Sequence, residues 1–76
     1  MKVINRETGN NAIFEDTTIG CDYVTYQFDT GHEFRQYDNG VYFTYTPKGN
    51  YAKQPTAHKL IRLASEFEDR RMQVEA

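Results

Sequence analysis

Cys21, His32 and His58 are the residues of this chain best suited to nucleophilic or metal-binding chemistry. A thiol paired with an imidazole can act as a catalytic nucleophile, and the same residue types bind zinc. Their spacing lacks the closely paired ligands of a structural zinc site. A lone cysteine is also common as a small apolar residue in a core. We therefore predict no metal and no cofactor, with a Cys21–His58 pair as the open alternative.

The triplet Asp29-Thr30-Gly31 matches the sequence around the catalytic aspartate of aspartic proteases. That chemistry needs two carboxylates that share one proton, so a second lobe or subunit would have to supply the other. Aspartate and glycine are also the residues that tight turns use. No glycine-rich phosphate-binding loop occurs elsewhere in the chain. We interpret the triplet as a hairpin turn and predict that the protein is not an enzyme.

The chain length of 76 residues fits one domain, 1–76, with a small core. A single cysteine is typical of a reducing compartment. No apolar run approaches the roughly 20 residues that a membrane span needs. We expect a cytoplasmic protein without a membrane segment. Because so small a core is marginal, a homodimer is an open alternative.

Three strand-like runs occupy the middle of the chain, at 23–28, 32–38 and 41–46. The triplet Asp29-Thr30-Gly31 separates the first two, and Asn39-Gly40 separates the last two. Asn-Gly is a strong signal for a two-residue hairpin turn. Before these runs, residues 2–6 predict a strand, 7–11 a turn, 12–14 a short returning strand and 15–20 a loop.

The two hairpin loops also predict a register. A three-residue first loop pairs Tyr26 with Phe34 and Tyr23 with Tyr37, and a one-residue slip would invert every side chain. A two-residue second loop pairs Tyr37 with Tyr42. One face then carries the apolar side chains Val24, Tyr26, Phe28, Phe34, Val41, Phe43 and Tyr45.

A C-terminal helix is predicted after Pro55, a residue that suits the first helical turn. Apolar residues then recur at helical spacing: Ala57, Leu60, Ile61, Ala64, Phe67 and Met72. We predict an α+β fold, in which a small antiparallel meander of three to five strands carries this helix on its apolar face. The charged residues Glu66, Glu68, Arg70 and Arg71 have the spacing of helical ion pairs and are interpreted as solvated helix surface.

The polar face of the predicted sheet is the leading candidate for a binding site. Tyr23, Arg35, Tyr37 and Tyr42 would share this face, and tyrosine and arginine are enriched at binding hot spots. Two alternatives are open. The tyrosines could simply stabilise strand pairs, or an apolar N-terminal segment could cover them, formed by Val3, Ile4, Ile13 and Phe14.

The charges are unevenly distributed along the chain, which has a net charge of −2. Residues 1–38 carry three cations and seven acids, whereas residues 39–65 carry four cations and no acid. An anion could bind where this basic segment meets the start of the helix. The residues of that candidate site are Lys48, Tyr51, Lys53, Lys59 and Arg62.

These features predict a non-catalytic protein-binding module, such as a small inhibitor or adaptor of the kind that phages and mobile elements produce. It would act through the tyrosine-rich sheet face on a protein partner. The alternative is a nucleic-acid-binding domain that uses the basic segment 48–62. The acidic net charge disfavours this alternative, because phosphate neutralisation dominates such affinity.

Overall fold

The computed structural model describes residues 1–10 and 20–75 of the chain, and the side chains as far as residue 73. The strands are β1 (Val3–Asn10), β2 (Asp22–Phe28), β3 (Glu33–Tyr37) and β4 (Tyr42–Tyr45), and the helix is α1 (Thr56–Glu75). The strands form one antiparallel sheet in the order β1-β2-β3-β4, and α1 packs on one face. The predicted α+β meander with a C-terminal helix is confirmed.

Strand β1 is longer than predicted. The turn predicted at 7–11 is wrong for residues 7–10, which belong to β1. They stay paired with β2, for example through Glu7↔Thr25 and Gly9↔Tyr23. Strand pairing here overrides the local turn preference of glycine and asparagine. The predicted strand at 12–14 and the loop at 15–19 lie outside the described residues.

The first hairpin has the predicted register. Tyr26 pairs with Phe34, and Tyr23 pairs with Tyr37. The triplet Asp29-Thr30-Gly31 forms the loop, where Gly31 has a φ of 91° and its N–H donates to the Phe28 carbonyl over 3.0 Å. Only glycine adopts this φ without strain. The triplet is therefore the predicted turn.

The second hairpin is shifted by one residue from the prediction. Tyr37 N–H donates to the Val41 carbonyl, so the loop has three residues and Gln36, instead of Tyr37, pairs with Tyr42. A two-residue type I′ turn needs positive φ at both Asn39 and Gly40. Among the described residues only glycines have positive φ, with Gly40 at 93°, which is the geometry of a turn followed by a glycine bulge.

This shift exchanges the two faces of β4. Tyr42 and Thr44 lie on the side of α1, beside Gln36 and Phe34, while Phe43 and Tyr45 lie on the opposite side. The prediction that Phe43 and Tyr45 belong to the apolar core face is therefore wrong. Successive side chains of a strand point to opposite faces, so a shift of one residue in the register moves each side chain to the other face.

The core lies between the sheet and α1. Phe28 and Leu60 are its most buried large side chains, with 2% and 0% of their surface exposed. The predicted packing of Leu60, Ile61, Ala64 and Phe67 on the sheet is confirmed, and Ala57 is buried as well. Met72 is 63% exposed and does not belong to the stripe, whereas Leu63 packs against the core without having been predicted.

The charged residues of α1 divide into two groups. Glu66 and Arg70 form an exposed i,i+4 pair, as predicted. Glu68 is wrongly predicted as solvated, because it contacts the sheet: Arg6 Nε and the Tyr26 hydroxyl both donate to its carboxylate. Its side chain is only 23% exposed. Glu68 therefore links α1 to β1 and β2.

No helix of the described part of the chain is both long and apolar enough to cross a membrane.

Candidate functional site

A set of aromatic rings crosses the sheet on the face away from α1. Strand alternation from β2 to β4 brings them together, and Arg35 lies among them. We call this set the aromatic surface; it consists of Tyr23, Arg35, Tyr37, Phe43, Tyr45 and Tyr51.

Neighbouring rings of the aromatic surface are in contact throughout. Tyr23 meets Tyr37 edge to face, with centroids 5.6 Å apart, and Tyr37 meets Phe43 in the same way at 6.1 Å. Phe43, Tyr45 and Tyr51 are stacked, and the Tyr45 and Tyr51 centroids are 5.6 Å apart. These are preferred geometries of aromatic pairs. The rings therefore support one another in fixed orientations.

Arg35 is also held in place. Its guanidinium carbon lies 4.3 Å from the centroid of the Tyr23 ring, a cation–π distance. Its Nε donates to Thr25 Oγ1 over 2.9 Å, and Thr25 is buried. The cation is thus held between β2 and β3 by contacts within the sheet.

Tyr51 reaches the aromatic surface because the chain turns back along β4. Thr46 N–H donates to the Asn50 carbonyl, Ala52 N–H donates to the Thr44 carbonyl, and Tyr51 forms a bridge with Tyr45. Tyr51 is 67% exposed. The sequence places it in the basic segment, whereas the structure brings it to the aromatic stack.

Tyr42 does not share a face with Tyr23 and Tyr37, so this part of the prediction is wrong. Its ring lies edge-on to Phe34 at 6.0 Å on the side of α1 and is 52% exposed. Phe43 takes the predicted place in the row. Sequence patterning could not distinguish the two, because Tyr42, Phe43 and Tyr45 put aromatic residues on both faces of β4.

The proposed N-terminal cover of this face is only partly described. Val3 packs against the core, and Ile4 is 62% exposed beside the register shift in β1. Ile13 and Phe14 lie outside the described residues.

Gly9 leaves room for the Tyr23 ring. A Cβ atom added at Gly9 would lie 2.5 Å from both Cζ and the hydroxyl oxygen of Tyr23, so Gly9→Ala must displace that ring. We expect the Tyr23–Tyr37 contact to be lost, which is worth about 0.5–1.5 kcal/mol. Ring-proton chemical shifts of Tyr37 measure this change. Unchanged Tyr37 shifts in Gly9→Ala would contradict it, and Ser65→Ala on the exposed side of α1 is the control.

The residues of the basic segment are only partly brought together. Lys59 and Arg62 line a surface groove of about 450 Å³ at the start of α1, together with Pro55, Thr56 and His58. Lys48 and Lys53 are exposed and are not among these lining residues. The first turn of α1 contains no acidic residue. Two of the four predicted cations therefore share one groove.

The three residues suited to nucleophilic or metal-binding chemistry have different surroundings. Partial burial and the Asp38 carboxylate raise the pKa of the Cys21 thiol, which favours the unreactive protonated form at neutral pH. His32 Nδ1 contacts Thr30 Oγ1 at 2.7 Å within the first hairpin, and His58 lies in the groove of Lys59 and Arg62. No group of three or more His, Cys, Asp or Glu residues in the described ranges could hold a metal ion.

Comparison of the chain with protein-family models, with curated proteins and with solved structures gave no match. The assignment of a function therefore depends on the geometry and chemistry of the surfaces described above.

Proposed function

We propose that the protein is a non-catalytic, cytoplasmic protein-binding module that binds its partner through the aromatic surface. A small inhibitor or adaptor of the phage or mobile-element type fits a single domain of 76 residues. The single observation that carries the proposal is the contiguous set of five rings and Arg35 on the sheet face away from α1.

The composition and rigidity of the aromatic surface support binding to a protein. Tyrosine and arginine are enriched at the energetic centres of protein interfaces. Side chains already held in one orientation lose little conformational entropy when a partner binds. The described residues span only 17 Å in their thinnest dimension, about the thickness of one sheet and one helix. On the sheet face away from α1, Tyr51 is the exposed member of the aromatic surface, Tyr37 is buried and the other members are half-buried, so a partner would meet this surface mainly at its Tyr51 end.

The charge of the chain favours a basic partner. The net charge is −2, and residues 1–38, which include β1 to β3, have a net charge of −4. Complementary charge raises association rates and selects among partners. The same charge disfavours binding to a phosphate backbone.

Nucleic-acid binding remains the second candidate because of the groove that contains Lys59 and Arg62. The first turn of α1 contains no acidic residue that would repel an anion bound at the helix N-terminus. The aromatic ring assigned to that site, Tyr51, is stacked on Tyr45 and Phe43 instead. This separation weakens the combination of base stacking and phosphate contacts that such a site would use.

Capture of a partner from the source cell, with and without nuclease, tests the proposal when it is followed by affinity measurements on variants. We expect Tyr51→Ala to weaken binding of the captured partner by about 2 kcal/mol, roughly 30-fold, as at other tyrosine hot spots. Tyr42→Ala is the matched control, since Tyr42 is also exposed and lies on the opposite face. Tyr37 is unsuitable because it is buried.

Two outcomes would contradict the proposal. Equal effects of Tyr51→Ala and Tyr42→Ala would show that the aromatic surface has no special role. Loss of binding in Lys59→Glu and Arg62→Glu alone, with a steep dependence on salt and sensitivity to nuclease, would establish the nucleic-acid alternative.

A further inference from the structure

A groove of about 600 Å³ lies between the start of β1 and one side of α1. Leu63, Phe67 and Arg70 line it from the helix, and their spacing of four and seven residues puts them on the same side of α1. Val3 lines it from β1. Val3, Leu63 and Phe67 also pack against the core. The floor of the groove is therefore apolar and belongs to the packed part of the molecule.

The rim of this groove carries an excess of positive charge. The lining includes three cations, Lys2, Arg70 and Arg71, but only one acid, Glu66. Glu66 Oε2 lies 3.8 Å from Arg70 Nη2, and the two side chains are 47% and 77% exposed. Exposed pairs of this kind are weak, so Arg70 can exchange this contact for a bound anion.

The acids next to the groove do not cancel this excess. Glu68 contacts Arg71 at 3.5 Å, but it also accepts a hydrogen bond from Arg6, so two cations surround one carboxylate. Asp29 lies outside the lining and accepts from the Lys2 backbone N–H over 3.1 Å. With these neighbours included, four cations stand against three acids, in a chain whose net charge is −2. The lining ends before the last turn of α1, where the negative end of the helix dipole acts.

An apolar floor beside a cationic rim suits a ligand with a hydrocarbon chain and an anionic end. Each methylene group that the floor removes from water adds to the affinity. A carboxylate accepts charge-assisted hydrogen bonds from ammonium and guanidinium groups. The volume of the groove lies within the range of small-molecule sites.

We propose that this groove binds a medium-chain aliphatic carboxylate. The hydrocarbon chain lies on Val3, Leu63 and Phe67, and the carboxylate lies at Lys2 and Arg70. This ligand is independent of the protein partner, because the groove is on the α1 side of the sheet and the aromatic surface is on the other side.

Titration of the isotope-labelled protein with sodium octanoate tests the groove by NMR, at low salt and below the concentration at which octanoate forms micelles. We expect saturable shifts of the backbone amides of Leu63, Phe67 and Arg70, with a dissociation constant of roughly 1–10 mM for so small a ligand. Hexanoate should bind roughly tenfold more weakly, because it lacks two methylene groups. Octylammonium has the same chain and the opposite charge, and should bind at these amides at least about tenfold more weakly than octanoate.

A pair of matched double variants tests the role of the cations. Lys2→Gln with Arg70→Gln should weaken octanoate binding about tenfold, and both positions are exposed, so the variant should stay folded. Lys48→Gln with Lys53→Gln makes the same change in net charge at exposed residues outside the groove and should leave the affinity unchanged. Glu66→Gln removes the acid of the lining and should tighten binding about threefold.

Several results would overturn the proposal. These are equal binding of octanoate and octylammonium at the groove amides, wild-type octanoate affinity in the Lys2/Arg70 variant, or weaker binding in Glu66→Gln. A capped peptide of one leucine and two glutamates is the remaining probe. If this peptide shifts the amides of Leu63 and Phe67 and octanoate does not, the groove binds a protein segment and the proposal is wrong.

Discussion

Phe28→Ala is expected to lower the free energy of unfolding by about 3–5 kcal/mol. Phe28 is 2% exposed and belongs to the core cluster that contains Tyr26, Phe34 and Leu60. Without the ring, the fold loses the free energy gained by moving these atoms from water into the core. The substitution also leaves a cavity between the sheet and α1. Small domains have a total stability near the low end of about 5–15 kcal/mol, so much of the variant should be unfolded. Urea denaturation followed by circular dichroism measures the change.

Two other substitutions calibrate this result. Met72→Ala, at a residue that is 63% exposed on α1, should change the stability by no more than about 0.5 kcal/mol. Phe67→Ala should lie between the two, because Phe67 is only partly buried against the core. An effect of Phe28→Ala no larger than that of Met72→Ala would show that the core does not lie between sheet and helix.

Glu68→Gln is expected to lower the free energy of unfolding by about 1.5–3 kcal/mol near neutral pH, the range for hydrogen bonds to charged groups. The Glu68 carboxylate accepts hydrogen bonds from Arg6 and Tyr26, and the side chains of Glu68 and Arg6 are each 23% exposed. The neutral amide would leave Arg6 partly buried without its counter-charge. Glu66→Gln, in an exposed pair with Arg70, should cost less than about 1 kcal/mol.

The same contact makes the stability depend on pH. Burial alone would raise the pKa of Glu68, but the hydrogen bonds from Arg6 and Tyr26 outweigh it and lower that pKa. Burial and the bond to Glu68 raise the pKa of Tyr26 to about 12, so its hydroxyl remains a donor at neutral pH. Because the folded-state pKa of Glu68 lies below the unfolded value of about 4.3, its contribution is complete above that value. It is lost as the pH falls through the folded-state pKa.

Urea denaturation of wild type and Glu68→Gln at about pH 7 and about pH 3 measures this dependence. The difference between the two proteins should shrink at the lower pH, because the Glu68 carboxylate of the unfolded wild-type chain is largely protonated below its pKa of about 4.3. A difference that stays constant over this range would show that the Glu68 contact does not depend on the charge of its carboxylate.

The central hairpin shows how far local sequence determines this fold. Only one length of the Asp29-Thr30-Gly31 loop places Tyr26 and Phe28 opposite the face of Arg35, so hydrophobic patterning selects the register. Three residues of the aromatic surface follow from that register: Tyr23, Arg35 and Tyr37. The helical spacing of Leu60, Ile61 and Ala64 likewise determines which side of α1 meets the sheet.

The second hairpin shows where local sequence is insufficient. Asn39-Gly40 is compatible with a two-residue loop and with a three-residue loop that ends in a glycine bulge. Because β4 has aromatic residues on both faces, hydrophobic alternation along β4 forbids neither register. The choice between Tyr42 and Phe43 as a member of the aromatic surface was therefore made by packing against the rest of the sheet and α1.

The sequence by itself determined the α+β class, the first hairpin and the apolar stripe of α1, because these depend on contacts between residues close in the chain or on simple periodicity. Tertiary structure alone decided which face of β4 meets the helix, the stacking of Tyr51 on Tyr45 and the contact of Glu68 with Arg6. Each of these depends on how separate elements are positioned against one another. Arg6 and Glu68 are 62 residues apart, and no local pattern of charge or hydropathy encodes a contact over that separation.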